Sequence, residues 1–196
     1  GFVYEGGIRV PGVIEWPARI PQPRVSDVNT VTTDIFATLC ELAGQPVPQR
    51  PIDSISLVSL FDGKMTQRPG QIGFWNGGGR DYPNGIPYID PELQRGTTPL
   101  VKLGPDGLAT RTFLNYRHPA VREIDYNGAR ALLDNRFKLV VDGGPNSGRE
   151  LFDVRADPAE KTNVIKAHPE VAAKMEQQLR VWQQSVLESL TGADYR

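Results

Sequence analysis

Val171, Met175, Leu179, Trp182, Val186 and Leu190 recur at steps of four, four, three, four and four. That spacing lays six large apolar side chains along one stripe of an α-helix. Pro169 suits its first turn and Gly192 its end. A helix with one apolar stripe has to cover an apolar surface, which the rest of the chain must supply. The segments ahead of it read as short strands at 72–75, 111–116, 129–133, 137–141 and 150–154. Residues 129–133 and 137–141, joined through Asp134-Asn135, are the best hairpin candidate. The expectation is an α+β unit: an antiparallel sheet covered by one amphipathic helix.

The chain carries 20 glycines and 17 prolines, nearly a fifth of its 196 residues, against about 12% in an average domain. Charged and apolar fractions of 23% and 39% are ordinary, so the excess means folded chain with long irregular loops, 71–128 above all. Ile8, Val10, Val13 and Ile14 with Trp16 predict a strand entering a core, kept short or at an edge by Pro11. Residues 17–27 are loop. Val31, Ile35, Leu39 and Leu42, with Phe36 and Cys40 on nearly the same side, predict a helix over 28–43. Ser26 or Asp27 would cap its start, and Gly44 fits the position past its end. Residues 45–54 read as a proline-rich surface linker, and 56–61 as a short helical turn or buried patch closed by Asp62-Gly63.

A formal net charge of -1 and the lack of any basic run exclude a strongly basic nucleic-acid binder. No apolar run approaches the roughly 20 residues that span a bilayer. Cys40 is the only cysteine, which excludes an internal disulfide or a cysteine-based zinc cluster. His118 and His168 lie too far apart in sequence to suggest a metal site. The opening residues, from Gly1, read as the interior of a longer protein, and the chain is taken as a fragment.

Chemistry-bearing patterns are few. Gly77-Gly78-Gly79-Arg80 could cradle an anion through backbone amides and one guanidinium, though a flexible turn is the simpler reading. Glu5 and Arg9 flank two glycines; they suit either an anion approaching the backbone or an ion pair closing a loop. Asp157, Glu160 and Asn163 resemble a metal cluster by type, but between strand and helix they suit turn and capping bonds better. His168, before Pro169, reads as a helix-start residue, and His118, before Pro119, as a turn residue.

Several ordered blocks carry a resemblance. Tyr4-Glu5-Gly6-Gly7-Ile8-Arg9-Val10-Pro11, followed by Trp16-Pro17, resembles the EGGxRVP…WP segment of type I sulfatases, the arylsulfatase-like branch of the alkaline phosphatase superfamily. The helix from Asp34 through Thr38 to Leu42-Ala43-Gly44 is similar to the family's D-x-x-x-T-x-x-x-L-A-G pattern. Ile52-Asp53-Ser54-Ile55-Ser56-Leu57 looks like its DGxSL block, with Ser54 in place of the usual glycine. Lys138-Leu139-Val140, Glu150-Leu151-Phe152-Asp153-Val154 and the stretch from Asp157-Pro158 through Glu160 to Asn163 resemble YKL…ELYDLxxDPxExxN.

The resemblance implies the C-terminal portion of a sulfatase. Residues 1–44 would be the last strand and helix of an alkaline-phosphatase-like α/β domain. Residues 45–70 would be a linker, and 71–196 a C-terminal subdomain, a small four-stranded antiparallel sheet packed on a long C-terminal helix. It implies sulfate-ester hydrolysis by a formylglycine made from Cys/Ser-x-Pro-x-Arg beside a Ca²⁺ held by Asp and Asn side chains. Cys40 is followed by Glu41-Leu42-Ala43-Gly44 and does not match that motif; a buried structural thiol is the expectation.

The calcium ligands, the active-site histidines and a sulfate-contacting lysine would lie upstream of Gly1, the lysine directly before it. No catalytic or metal residue is therefore expected in this chain, which alone would be inert. Glu5, Gly6, Gly7 and Arg9 would hold the loop carrying that lysine, and Arg80 and His118 are candidate substrate contacts. Implied partners are a small-molecule or carbohydrate sulfate ester and the catalytic domain; a periplasmic or secreted setting fits the family. Alone, the chain should expose the apolar side of helix 28–43 and self-associate. The alternatives are a non-catalytic glycan-binding or assembly module, and a fragment of a related phosphate or phosphonate ester hydrolase.

Overall fold

The computed structural model describes residues 3–76, 120–142, 148–191 and 193. The expected strand at 111–116, Arg80, His118 and Gly192 lie outside the described residues. Four strands, β1 (Ile72–Asn76), β2 (Ala129–Leu133), β3 (Phe137–Val141) and β4 (Arg149–Asp153), form one antiparallel sheet in the order β1-β2-β3-β4. The β2–β3 turn forms as expected. Asp134 N–H donates to the Phe137 carbonyl at 2.9 Å, while the Asp134 carboxylate accepts the N–H groups of Arg136 and Phe137.

Among the described residues the α-helices in chain order are α1 (Glu5–Ile8), α2 (Asp34–Leu42), α3 (Val58–Phe61) and α4 (Pro169–Thr191). One sheet face presents Leu132, Phe137, Leu139, Val141 and Leu151 to Ala172, Met175 and Leu179 of α4. The helix is turned slightly from the expected stripe. Its buried line also takes in Gln183 and Leu187, while Val171, Trp182 and Val186 sit half-buried on the flank. Gln183 is accepted inside because its amide donates to the Tyr126 carbonyl at 3.1 Å, in a 3-10 turn over Glu123–Tyr126. His168 stands at the start of α4, its ring 5.1 Å from that of Phe137.

The opposite face is also covered. Ala131, Val140 and Phe152 meet Val3, with Tyr4, Phe74, Ala129 and Val154 at the edge. Because both faces are closed, β3 is buried at every position.

The N-terminal segment departs from the strand predicted there. Residues 5–8 make a single helical turn, closed by Arg9 N–H to the Glu5 carbonyl at 2.9 Å. The residues after it are irregular, with Val10 and Val13 at 78% and 91% exposure. A strand needs a neighbour for its ladder, and among the described residues no strand lies alongside.

The helix predicted over 28–43 begins at Asp34. Three β-branched residues, Val31, Thr32 and Thr33, precede it in tight turns with Asp34, Ile35 and Phe36 bonded three residues back. Neither Ser26 nor Asp27 caps it; the Ser26 hydroxyl accepts locally from Val28 N–H at 3.3 Å. Its end is as expected. Gly44 takes φ 65°, Gln45 N–H reaches the Cys40 carbonyl at 2.9 Å, and Gly44 N–H reaches Glu41 at 3.0 Å.

The helix buries Asp34, Ala37 and Thr38, while Ile35, Phe36, Leu39 and Leu42 are exposed. Cys40 is half-buried, not the enclosed thiol expected, because the polar side of the helix is the one packed inward.

That inward side is a clamp. The Thr38 hydroxyl donates to the Asp34 carbonyl at 2.6 Å and accepts Leu57 N–H at 2.9 Å. The Asp34 carboxylate accepts Ile55 N–H at 3.0 Å, Val31 N–H at 2.9 Å and both arms of Arg68 at 2.6 and 2.9 Å. The Asp and Thr of the helix block thus satisfy the backbone of residues 55–57, within the Asp53–Leu57 motif. Thr38→Val keeps the shape but leaves the Leu57 N–H unbonded in a buried position. We expect a loss of about 1–3 kcal/mol in urea unfolding, whereas Thr38→Ser should retain most of the stability.

Candidate functional site

Alternation along β3 sends Phe137, Leu139 and Val141 to the α4 side and Lys138 with Val140 to the other. Lys138 is completely enclosed. A buried ammonium is tolerated only when it is paired. Its Nζ lies 3.0 Å from Glu5 Oε1 and 2.8 Å from Glu160 Oε1. The two carboxylates are linked in turn, because Glu5 N–H donates to Glu160 Oε2 at 2.6 Å. Arg9 stands at the rim, 3.9 Å from Glu5 and largely exposed.

Glu160 holds φ 54°, the only left-handed non-glycine among the described residues. A turn closed by its own N–H to the Asp157 carbonyl at 3.1 Å carries it there. Asp157 accepts Thr162 N–H at 2.7 Å, and Asn163 accepts the N–H groups of Leu151 and Ile165 at 3.1 and 3.0 Å. Asp157 and Asn163 therefore make the turn bonds expected of them. Glu160 does not: it reaches into the sheet to Lys138.

Beside this triad, the Tyr4 hydroxyl donates to Glu150. That bond to a carboxylate, then burial, then the charges of Glu150, Asp142 and Glu160 push the Tyr4 phenol well above its ordinary range. An open groove of about 500 Å³ runs along Tyr4, Gly6, Arg9, Pro158 and Ala159, with Glu5 and Glu160 in its wall.

Of the residues singled out from the sequence, Glu5, Gly6 and Arg9 gather at this groove, and Gly7 lies in the same exposed turn. Glu5 does more than pair with Arg9, since its closer partner is Lys138. Lys138 itself was missed, although one lysine inside the apolar strand Phe-Lys-Leu-Val-Val is a legible signal. Tyr4 and Glu150 carried no such mark. As a calcium site the cluster does not fit: its facing carboxylates already hold an ammonium. Among the described residues no group of three or more His, Cys, Asp or Glu could hold a metal ion.

No protein-family model matches the chain. Human steryl-sulfatase is 47% identical over 62 residues, 31% of this chain and 11% of that protein. The N-acetylgalactosamine-6-O-sulfatase of Bacteroides thetaiotaomicron is 27% identical over 178 residues, which is 90% of this chain and 27% of that one. A Bacteroides fragilis structure assigned as a sulfatase superposes with TM-score 0.51 over 90% of this chain and 29% of its own, at 16% identity; the likeness is one of fold. The chain thus spans about a tenth to a quarter of the length of these curated relatives. Over most of its length this chain is similar in sequence to sulfatases.

Proposed function

We propose that the chain is the C-terminal portion of a sulfate-ester hydrolase and supports an active site whose reacting groups lie in preceding segments. Residues 1–44 then end an alkaline-phosphatase-like α/β domain, 45–70 link, and 71–196 form the C-terminal subdomain. In that protein a formylglycine would supply the nucleophile and Ca²⁺ would offset charge on the sulfuryl group. The task left to this chain is to fix the Glu5-Gly6-Gly7 turn and Arg9 against the sheet.

One observation carries the reading: the first and the last of the blocks that resemble sulfatases, far apart in sequence, converge on the Glu5–Lys138–Glu160 triad. The exposed Ile35, Phe36, Leu39 and Leu42 of α2 support it, as a surface that the remainder of such a protein would cover.

The test compares the intact protein with the isolated chain. The intact protein should release sulfate from aryl or carbohydrate sulfates and lose that activity to a calcium chelator. The isolated chain should be inactive and should light up a dye for apolar surface. An intact protein that hydrolyses phosphate or phosphonate esters but no sulfate ester would overturn the reading, and so would sulfate release by the isolated chain.

A further inference from the structure

We infer that Lys138 is a positioning residue: acting through Glu5 and Glu160, it sets the place of the 4–9 turn and the shape of the groove beside it. The inference rests on the function proposed above. Helix α1 has no buried residue of its own, so nothing within the turn fixes its position. Its tethers are Val3 packed on the sheet, Tyr4 bonded to Glu150, and Glu5 bonded to Lys138 through its side chain and to Glu160 through its N–H.

Among the described residues, Lys138 pairs with both carboxylates in the groove wall. An apolar side chain of the same volume would fill that space with no charge to desolvate, so stability alone does not account for an ammonium there. The left-handed backbone of Glu160 is a second, independent sign. Such a conformation persists where its surroundings hold it, and such residues cluster at functional sites. The side chain it directs goes to Lys138 and to Glu5 N–H, the contacts that fix the turn. Without Lys138, two carboxylates in the groove wall face one another with only the exposed Arg9 beside Glu5, and the expected relief is for the turn to swing out.

Two readouts on the intact protein test this. In Lys138→Ala, amide exchange at residues 5–9 should rise about tenfold or more, while β2 and β3 stay protected. The kcat for para-nitrophenyl sulfate should fall about 10- to 100-fold with KM within about twofold. Added ethylammonium, which can refill the vacated space, should restore part of kcat where equal sodium does not. A purely structural lysine would lower activity only in step with the folded fraction and would show no ammonium rescue; that result overturns the inference.

If Lys138→Ala does not fold, Glu160→Gly serves instead. It removes the carboxylate while easing the left-handed backbone, and unchanged exchange at residues 5–9 would overturn the tether. A wild type without sulfatase activity would sink the functional reading alone, because the exchange comparison decides the tether by itself.

Discussion

Replacing Arg68 by methionine should lower stability by about 3–5 kcal/mol at pH 7, the largest effect expected of a single change in this chain. Arg68 and Asp34 are almost wholly enclosed, and the guanidinium binds both oxygens of the carboxylate at 2.6 and 2.9 Å. It also joins three parts of the chain. Arg68 N–H and carbonyl are paired with the Asn135 side chain in the β2–β3 turn, each at 2.8 Å, while its arms reach toward the Asn29 and Asp53 carbonyls. Methionine fills much of the volume but leaves the Asp34 carboxylate buried with two backbone N–H groups and no counter-charge.

The deficit should depend on pH. Burial acts to raise the Asp34 carboxyl, yet the Arg68 hydrogen bonds and the N–H groups of Ile55 and Val31 bring it below the ordinary carboxylate value. A lowered folded value means that the wild-type contribution is fully present above about pH 4, the unfolded value, and is lost as pH falls through the folded one. In the variant the burial effect loses its main opponent, so Asp34 takes up a proton at higher pH and the penalty for its charge disappears on acidification. Urea midpoints of wild type and variant should therefore lie further apart at pH 7 than at pH 4. A gap that is constant or widens toward acid would show that the pair does not stabilise the fold as a charge pair.

Gly73→Ala should cost about 3 kcal/mol, at the upper end for an inserted methyl group. A Cβ at this position of β1 would stand 2.4 Å from two ring carbons of Trp182 on α4, closer than any real contact. The indole cannot simply slide aside. Its Nε1 donates to Asp53 at 3.0 Å, and its ring meets Trp75 edge-on with centroids 6.4 Å apart. Moving it would disturb the sheet, the helix and residue 53 together. Thermal unfolding of Gly73→Ala checks this, and a companion Trp182→Leu change should relieve the clash and recover part of the loss. A Gly73→Ala protein as stable as wild type would mean that β1 and α4 do not approach this closely.

What was legible in the sequence was local. The β2–β3 hairpin, the strands expected at 72–75 and 150–154 and found at 72–76 and 149–153, the long helix after Pro169 and the glycine that ends α2 follow from turn residues and short-range periodicity. These signals act over a few residues, where propensity and spacing decide. The start of α2 was misread because a three- and four-residue apolar spacing continues back to Val31, while the β-branched run 31–33 favours tighter turns. The strand expected in the first 16 residues failed for a related reason: apolar residues flanking Pro11 look strand-like, but a strand exists only beside another.

The chain by itself therefore determined most of its local elements and the blocks that relate it to sulfatases. Tertiary structure alone decided which sides of those elements face inward. The apolar spacing of α2 does not say that Asp34 and Thr38 would be enclosed and Ile35 and Leu39 exposed; the arrival of residues 55–57 and Arg68 does. Nor does the lysine of β3 name its partners, which come from 133 positions before it in Glu5 and from the turn before α4 in Glu160. The physical reason is the same in both cases. Buried polar groups must be satisfied, and the groups that satisfy them are brought close by the folded chain, at separations that no sequence pattern spans.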